Sequence, residues 1–506
     1  MNTKYIFTAL LLAPMLTASA AGQGTDTLQY AVNEHASCLL SLRQNVFFNP
    51  AMQRFHYATS LNVLSAAYQH DKASHPVRLE MGSGHNHGVG NIDAYLQKGK
   101  TTLWGNATYK NGNTKGISYC ETSDFATLYP YIMADTVGGN NRNERYHFMG
   151  GFATALGRWT VGAEGEYTAL MEYRVRDPRP KNLTGDLKVK FGLGYALTAQ
   201  QRIGWKLSAR KYKQTNELKL YNEVAVPLVY HFTGLGTDYY RFRGLNTSTY
   251  YKGYAIGTGM DWANTTHTGL FGGADYEYTS IEKVISSLNE LPMAELHQHA
   301  QTAYIGYTTT GVGNGFGFLL HETYSCRNGI ENIFGTAQDN IYPQIASAPQ
   351  YRLTQLNTSL RGVYQHTAGL SGYALSAVAG YENYDERYKE PQRRMKAAAF
   401  TAGGDANAHL SVHQWLLQAS VSALWRWCND SRIEMPQAAD KTTLFAPVMH
   451  FYQVLANRSW QTKTVLAAHY ATHRGFDPYV QLTWNYQHYA QVDHTQAIEI
   501  ALGVSF

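Results

Sequence analysis

Apolar and polar residues alternate along most of this chain, in stretches long enough to cross a bilayer as tilted strands. From Leu187 to Leu197 every second residue is apolar, with Lys, Gly or Ala between them. The stretches Trp159 to Arg174, Gln201 to Tyr212 and Trp415 to Trp427 follow the same pattern. Because successive side chains of a β-strand point to opposite faces, each stretch predicts a strand with one apolar and one polar face.

Such stretches recur often enough to form a closed barrel. The others are His56–Gln69, Pro76–Gln97, Thr101–Lys110, Tyr146–Leu156, Tyr254–Trp262, His267–Ser280, Leu296–Thr309, Phe316–Tyr324, Gln350–His366, Ser371–Asp385, Lys396–Asn407, Thr443–Ala456, Gln461–His473, Val480–Tyr486 and Ala497–Phe506. Strands cross a bilayer only as a closed sheet, because lipid offers no partner to an unpaired backbone group. We predict an all-β fold, a single transmembrane antiparallel β-barrel of about 18 strands (16 to 20). The tally is odd, whereas single-chain bacterial barrels normally have an even number, so we expect one stretch to be misassigned.

The last strand ends on an aromatic residue. Ile498, Ile500 and Leu502 share one face of this strand with the terminal Phe506. A closing strand that ends in this way is typical of bacterial outer-membrane barrels. We interpret Phe506 as an assembly signal, and we expect the barrel assembly machinery and outer-membrane lipid as partners.

The N-terminus predicts export. Lys4 precedes the apolar segment Tyr5 to Leu16, and Ala18-Ser19-Ala20 forms a small-residue cleavage site. This arrangement is typical of a secretory signal peptide. We predict a signal peptide at 1–20, an N-terminal periplasmic or plug segment at 21–54, and an outer-membrane β-barrel at 55–506.

The segment before the first strand has a helical pattern instead of alternation. Val32, Ala36, Leu39 and Leu40 follow helical spacing, which predicts a short helical segment lying in or under the barrel. The triplet Asn49-Pro50-Ala51 comes next and is similar to one near the start of fatty-acid-transporter-type barrels.

The connections between strands alternate in length. Short turns such as Leu156-Gly157-Arg158, Asn264-Thr265-Thr266 and Asn457-Arg458-Ser459 are expected in the periplasm, and long polar connections outside the cell. The long ones are Glu121–Glu144, Gln214–Ser248, Ile281–Glu295, Arg327–Pro349 and Asn429–Lys441. The helical spacing of Ile281, Val284, Ile285 and Leu288 predicts a short amphipathic helix in the third of them.

Composition fits a membrane barrel and narrows the partners. The 506 residues include 38 Tyr and 45 Gly, and only 16% are charged, as expected where strands face lipid on one side and water on the other. A net charge of +5 without a basic run argues against nucleic acid. Because Cys38, Cys120, Cys326 and Cys428 are far apart, we expect structural or neutral roles for them, and the sequence leaves a disulfide between two of them open.

Motifs of catalysis and cofactor binding do not occur in the sequence. It has no G-x-S-x-G elbow, P-loop, zinc C-x-x-C pair or H-E-x-x-H helix. His85-Asn86-His87 places two imidazoles on one strand face, but a metal ion needs further ligands, so we interpret this triplet as part of a Gly-rich strand bulge. We predict no catalytic residue, no metal and no cofactor, and therefore no enzyme.

Charged residues on the polar faces of three consecutive strands predict a charged lumen. They are Glu164, Glu166, Lys188, Lys190, Lys206 and Arg210. Held apart across a pore, opposite charges would form a constriction that orients small polar solutes. Held together, they neutralise one another, and the spacing of about 5 Å between neighbouring strands favours this arrangement.

The run Tyr173 to Asn182, together with Leu128-Tyr129-Pro130-Tyr131, Leu103 to Tyr109 and Asn111-Gly112, carries a family resemblance. On these residues the chain resembles, from about Asn49 to Phe506, an uncharacterised outer-membrane β-barrel family of the Bacteroidota type. The resemblance implies fold and location but no activity. The run contains a surface-loop motif, which consists of Arg176, Asp177, Pro178, Arg179, Pro180 and Lys181. Its prolines fix the backbone, and we expect its charges to form a rigid ionic knot in preference to a docking site for an acidic partner.

Three functions follow from these predictions. We favour a passive channel or transporter for a small solute. The alternative is a non-enzymatic scaffold with a plugged lumen that docks a surface lipoprotein or a secretion component through its long loops. An outer-membrane hydrolase is third.

Overall fold

The chain forms a closed antiparallel barrel of 18 strands in a computed structural model. The structure describes residues 25–221, 227–244, 248–311, 313–339, 341–436, 444–472, 474–490 and 493–506, so the predicted signal peptide at 1–20 lies outside the described residues. The barrel strands are β1 (Leu61–Ala73), β2 (Gly84–Lys98), β3 (Thr101–Ile117), β5 (Gly139–Leu156), β6 (Trp159–Arg174), β7 (Arg179–Ala196), β8 (Gln201–Lys219), β11 (Thr249–Asn264), β12 (Gly269–Ile285), β13 (Leu291–Thr310), β14 (Asn314–Phe334), β15 (Gln344–Ala368), β16 (Ser371–Tyr388), β17 (Arg393–Val412), β18 (Trp415–Glu434), β19 (Ser459–Tyr470), β20 (Asp477–Tyr489) and β21 (Asp493–Ser505). Three short strands, β4 (Met133–Ala134), β9 (Tyr230–Gly234) and β10 (Thr237–Asp238), form a separate sheet.

The first and last strands close the barrel. β1 pairs with β21 from Val63 opposite Ser505 to Ala73 opposite Thr495. Beyond this register, the backbone N–H groups of Phe506 and Asn62 each donate to the other residue's carbonyl, at 2.9 and 2.8 Å. Every strand of the barrel therefore has two neighbours, and the predicted closed barrel with an even strand number is confirmed.

The misassigned stretch is Thr443–Ala456. Its described part forms helix α5 (Phe445–Ala456), which buries Pro447, Val448, Phe451 and Val454. These residues are one, three and three positions apart, which is the spacing of a helix face. The strand prediction was wrong because short apolar runs do not distinguish a buried helix from a strand.

The outer surface of the barrel is apolar between two rows of aromatic residues. Phe191, Ile256 and Ile500 are more than half exposed, although they lie in the middle of strands. At one end of the belt Trp159 packs on Tyr195 and Trp415 on Tyr470, and at the other end Trp460 packs on Tyr486. Such a belt with aromatic girdles faces lipid, so the protein is a transmembrane barrel of the bacterial outer membrane.

The two ends of the barrel differ. The short-turn end carries the turns at 157–158 and 265–268 and both closing residues, Leu61 and Phe506. The loop end carries the connections at 118–138 and 227–244, together with α5. Because long connections of outer-membrane barrels face outside, the loop end is extracellular. The turn Asn457-Arg458-Ser459 lies at the loop end, where it joins α5 to β19, so its periplasmic assignment was wrong.

Strands at the loop end are longer than predicted. Residues 281–285, expected to start a loop helix, belong to β12, and only a 3-10 turn follows at Ser286–Leu288. Ile281, Val284 and Ile285 are all buried. Burial on both faces of this strand removes the alternation and imitates helical spacing, which explains the wrong helix prediction.

The N-terminal segment is helical, as predicted. It consists of α1 (Thr25–His35), α2 (Cys38–Ser41), α3 (Gln44–Phe47) and a 3-10 turn at Gln53–Phe55. A short helix α4 (Phe125–Leu128) and 3-10 turns at Leu79–Met81 and Tyr240–Phe242 lie in the loop-end connections. Among the described residues, no helix is both long and apolar enough to cross a bilayer.

Candidate functional site

The six charged residues predicted for the lumen all point inward and have oppositely charged or titratable partners. Glu164 Oε1 lies 2.6 Å from Lys190 Nζ, and Glu164 Oε2 accepts a hydrogen bond from the Trp104 indole. Glu166 lies 3.8 Å from His147 Nδ1. The contact of Glu164 with Lys190 therefore links β6 to β7, and that of Glu166 with His147 links β6 to β5.

Of the other three residues, Lys188 and Lys206 pair with residues of the non-adjacent strand β12, and Arg210 pairs with a residue of the adjacent strand β7. Lys188 Nζ lies 3.3 Å from Glu277, and Lys206 Nζ lies 2.8 Å from Asp275. Arg210 donates two hydrogen bonds to Asp186, each at 2.7 Å. The first two contacts join β7 and β8 to β12, the third joins β8 to β7, and together they arrange the charges as ion pairs along neighbouring parts of the barrel wall.

The opposite wall carries charges that the sequence analysis did not single out. Arg361 lies 2.8 Å from Asp405, and Arg426 lies 3.1 Å from Glu382. Each of the four lies on the inward face of one of the strands β15 to β18, at a position that the alternation of apolar and polar residues assigns to that face. The sequence does not show that these residues pair, because their strands are not consecutive: Arg361 contacts Asp405 two strands away, and Arg426 contacts Glu382 two strands away.

The middle of the barrel contains open space. The inward-facing side chains of Glu277 and Glu382 are 33% and 43% exposed, although both lie on the inner wall. A packed core would leave such groups without water, at a cost of several kcal/mol for each unpaired charge. We call this polar middle section of the lumen the chamber.

The N-terminal segment closes the chamber at the short-turn end. Asn49 donates a hydrogen bond of 3.0 Å to Asp261 on β11, and Asp261 also accepts one from Tyr304. Arg43 donates to the Thr308 hydroxyl at 3.1 Å and to the Asn264 carbonyl at 2.6 Å. Burial lowers the pKa of Arg43 to about 10.

Three inward glycines let the Asn-Pro-Ala triplet approach the wall. A Cβ atom at Gly162 would lie 2.5 Å from the Pro50 carbonyl carbon, and one at Gly192 would lie 2.3 Å from Asn49 Oδ1. A Cβ at Gly204 would lie 2.6 Å from Asn49 Nδ2. These three neighbouring strands therefore form a side-chain-free seat for residues 49–51.

Four aromatic rings of the N-terminal segment form a continuous stack. Phe47 stacks on His56, His56 on Tyr57, and Tyr57 on His35, with ring centroids 4.2, 3.8 and 3.7 Å apart. Burial lowers the pKa of His56 to about 3 and also lowers that of His35. Both imidazoles are therefore neutral at physiological pH.

Loops folded into the barrel close the loop end. Tyr131, Ile132, Phe232 and Leu235 are almost fully buried, in a cluster with residues of β11 to β17. Lys283 on β12 donates to the Ile132 carbonyl at 3.0 Å. The long connections at 118–138 and 227–244 lie at the extracellular end, where they were predicted, but they carry buried apolar residues and fold into the barrel, so the prediction that they are polar loops was wrong.

A buried ion cluster holds the first of these loops. Arg174, at the end of β6, lies 2.5 Å from Asp135 and 3.5 Å from Glu121, and all three side chains are inaccessible to solvent. Burial and the neighbouring Asp135 raise the pKa of Glu121 well above its usual value. One guanidinium therefore fastens both ends of the loop to the wall.

A cavity of about 330 Å³ lies between the chamber and α5. Arg78, Arg327 and Arg426 line it together with the aromatic rings of Tyr129 and Phe451. The Arg78 guanidinium lies 3.4 Å from the centre of the Phe451 ring. This cavity offers polar and aromatic contacts to a small molecule in the lumen.

The surface-loop motif lies at the turn between β6 and β7. Arg179 donates to Asp177 at 2.6 Å and lies over the Tyr221 ring, and Asp177 accepts from the Tyr221 backbone N–H at 2.7 Å. The side chains of Arg176 and Lys181 are exposed, whereas Pro178 and Pro180 are buried.

Candidate metal ligands do not converge in the described part of the chain, where no three His, Cys, Asp or Glu side chains are placed to hold an ion. His85 contacts Asp71 and His87 contacts Asn143. Both histidines lie in regular pairing between β1 and β3, so the predicted bulge was wrong. The four cysteines are free thiols.

Comparison with known proteins gives a family and general likenesses. No curated protein matches the sequence. Three solved structures are similar at 8% identity and a TM-score of 0.39: the ferric preacinetobactin receptor BauA of Acinetobacter baumannii (89% of this chain, 80% of that one), the outer-membrane transporter YddB of Escherichia coli (88% and 80%) and the iron transporter FrpB of Neisseria meningitidis (92% and 82%). The predicted membership of an uncharacterised family is confirmed, because residues 50–506 match the family of unknown function DUF6850, to which this chain belongs.

Proposed function

We propose that the protein is a gated outer-membrane transporter for a small polar solute. The observation that supports this most directly is the chamber, whose inward Glu277 and Glu382 are partly exposed between two closed ends. A barrel that transports no solute would be more stable if packed side chains filled this space. The loops at 118–138 and 227–244, which close the loop end, are called the loop-end plug. A solute can pass only when both the N-terminal segment and the loop-end plug are displaced. Transport is therefore gated and does not use a permanently open pore.

Ion conductance across planar bilayers tests this proposal. Wild-type protein is expected to conduct very little, because both ends are closed. Gly192→Val should displace the N-terminal segment, and Arg174→Met should release the loop at 118–138. The double variant is expected to conduct potassium chloride in steps, whereas each single variant keeps one closure.

A thiol reporter shows whether the N-terminal segment has moved. Cys38 in α2 is half-buried at the short-turn end, and a membrane-impermeant maleimide should label it faster once the segment leaves the lumen. Substituting Cys428 by Ser removes the other partly exposed thiol. A double variant with rapid Cys38 labelling and no conductance would overturn the transporter proposal.

The alternative, a non-enzymatic scaffold, is favoured by the extent of the loop-end plug. The plug builds a large buried cluster yet presents Tyr221 and Tyr240 to solvent, both more than half exposed. A scaffold would keep its lumen sealed in every variant that folds. The conductance of the double variant therefore decides between the two functions.

A further inference from the structure

Three lysines lie side by side on the outer surface, just beyond the apolar belt at the loop end. Lys211 and Lys213 follow the outward residues Leu207 and Ala209 along β8. Lys213 is directly paired in register with Lys252 on β11. These lysines form the basic patch, and all three are exposed to the surroundings of the barrel.

The positive charges of the basic patch are only partly balanced by carboxylates of the protein. Lys252 lies 2.9 Å from Glu282 on the neighbouring β12. Within the described residues, neither Lys211 nor Lys213 has a carboxylate within 4.0 Å. Like charges directly opposite each other destabilise a sheet, so an anion from outside the protein would stabilise this part of the barrel.

The surface beside the patch leaves room for a headgroup. On β7 the residue paired with Lys213 is Gly185, and the residue paired with Gly185 on β6 is Ala169. A Cβ atom at Gly185 would have one neighbour within 4 Å, the Tyr167 hydroxyl at 3.6 Å. The lysines therefore border a shallow notch with a small-residue floor and a tyrosine hydroxyl at its edge.

Below the notch the wall is apolar. Leu187 and Phe191 follow Gly185 down β7 and are 46% and 61% exposed. Tyr254, more than half exposed, lies beside Lys211 at the level of the aromatic girdle. Cations at headgroup depth above exposed aliphatic and aromatic side chains match a molecule with anionic groups and acyl chains.

We propose that the basic patch binds a phosphorylated glycolipid of the outer leaflet, lipid A. Its phosphate groups lie at Lys211 and Lys213, its sugar occupies the notch over Gly185, and its acyl chains run along Leu187 and Phe191. The lipid supplies the negative charge that the barrel wall lacks at this level.

Native mass spectrometry of protein purified from outer membranes tests the site. The wild type is expected to retain lipid A, and K211E/K213E to lose it. Removing the two charges in K211Q/K213Q should weaken binding about thirtyfold, and reversing them in K211E/K213E should weaken it further. K98E/K100E, at the short-turn end, should retain lipid A like the wild type.

A charge-neutral variant, a folding check and a vesicle binding assay complete the test of lipid A binding. K211Q/K213Q removes charge without reversing it, and heat-modifiable electrophoretic mobility shows that each variant is folded. In vesicle exchange, lipid A should bind and dephosphorylated lipid A should not. Equal retention of lipid A by folded wild type and K211Q/K213Q would overturn the proposal, and so would a loss limited to phosphatidylglycerol.

Discussion

At the scale of single residues, the absence of a side chain decides how the lumen is closed. Gly162, Gly192 and Gly204 lie on adjacent strands and face the Asn-Pro-Ala triplet. The alternation of apolar and polar residues assigns these glycines to the inward face of their strands. It does not show that another segment of the chain packs against them. The glycine seat therefore became visible only in the structure.

Gly192→Val should loosen the N-terminal segment without unfolding the barrel. Its Cβ would lie 2.3 Å from Asn49 Oδ1 and 2.5 Å from the Ala51 nitrogen, so the triplet has to move. Overpacking of this kind costs about 1–3 kcal/mol. Maleimide labelling of Cys38 should become faster in the Cys428→Ser background. Gly165→Val on β6, where a Cβ meets nothing within 4 Å, should label at the wild-type rate.

Acid should loosen the same segment. Burial lowers the pKa of His56 to about 3, and the neighbouring imidazoles of His35 and His267 act in the same direction, whereas the unfolded value is 6.5. A folded pKa below the unfolded one means that stability is complete above pH 6.5 and is lost as the pH falls towards 3. At pH 5 the loss from His56 is about 2 kcal/mol.

Amide hydrogen exchange in residues 38–47, corrected for its intrinsic pH dependence, measures this effect. Protection should fall between pH 7 and pH 5 in the wild type. His56→Phe keeps a ring for stacking and removes the titration, so its protection should change less over this range. An identical pH profile in the two proteins would contradict the role of His56.

At the scale of elements, alternation predicts the strands wherever lipid lies on one side and water on the other. The bounds of β6 match the predicted stretch Trp159 to Arg174 at both ends. The strands β8 and β14 extend to Lys219 and Phe334, beyond their predicted ends at Tyr212 and Tyr324. Outside the bilayer the outward residues become polar, as at Lys213, and the alternation of apolar and polar residues ends. The backbone hydrogen bonds between the strands continue beyond this point.

The chamber was only partly visible in the sequence. The inward direction of the six lumen charges followed from alternation along β6, β7 and β8. Their partners on β12, Asp275 and Glu277, did not, because the sequence does not show that β11 lies next to β8 and that β12 therefore lies two strands from β8. The loop-end plug was missed because apolar residues such as Ile132 and Phe232 lie in stretches assigned to polar loops.

The loop at 118–138 should depend on one guanidinium. Arg174→Met leaves Asp135 and Glu121 buried without their cation, and breaking a buried pair in this way costs about 3–5 kcal/mol. We expect the loop to leave the lumen and expose Cys120, which is 2% exposed in the closed state. Labelling of Cys120 in a variant with Cys38 and Cys428 replaced by Ser measures this. Arg176→Met, at a solvent-exposed position in the same turn, should leave Cys120 protected.

At the scale of the whole molecule, the fold separates a lipid-facing outside from a wet inside, and one matched pair of variants tests this separation. Ile500 on β21 is 51% exposed on the outer surface, between Ile498 and Leu502. Thr483 on β20 faces inward, in register with Glu499.

Arginine in the lipid-facing middle of a barrel costs about 2–4 kcal/mol, whereas a lumen position tolerates it. Ile500→Arg should therefore lower the free energy of unfolding by that amount, and Thr483→Arg, next to a carboxylate, by less than about 1 kcal/mol. Urea titration in phospholipid vesicles, followed by tryptophan fluorescence, gives both values. Equal losses would show that the lumen is as apolar as the belt, and the chamber would then have no water for a solute to replace.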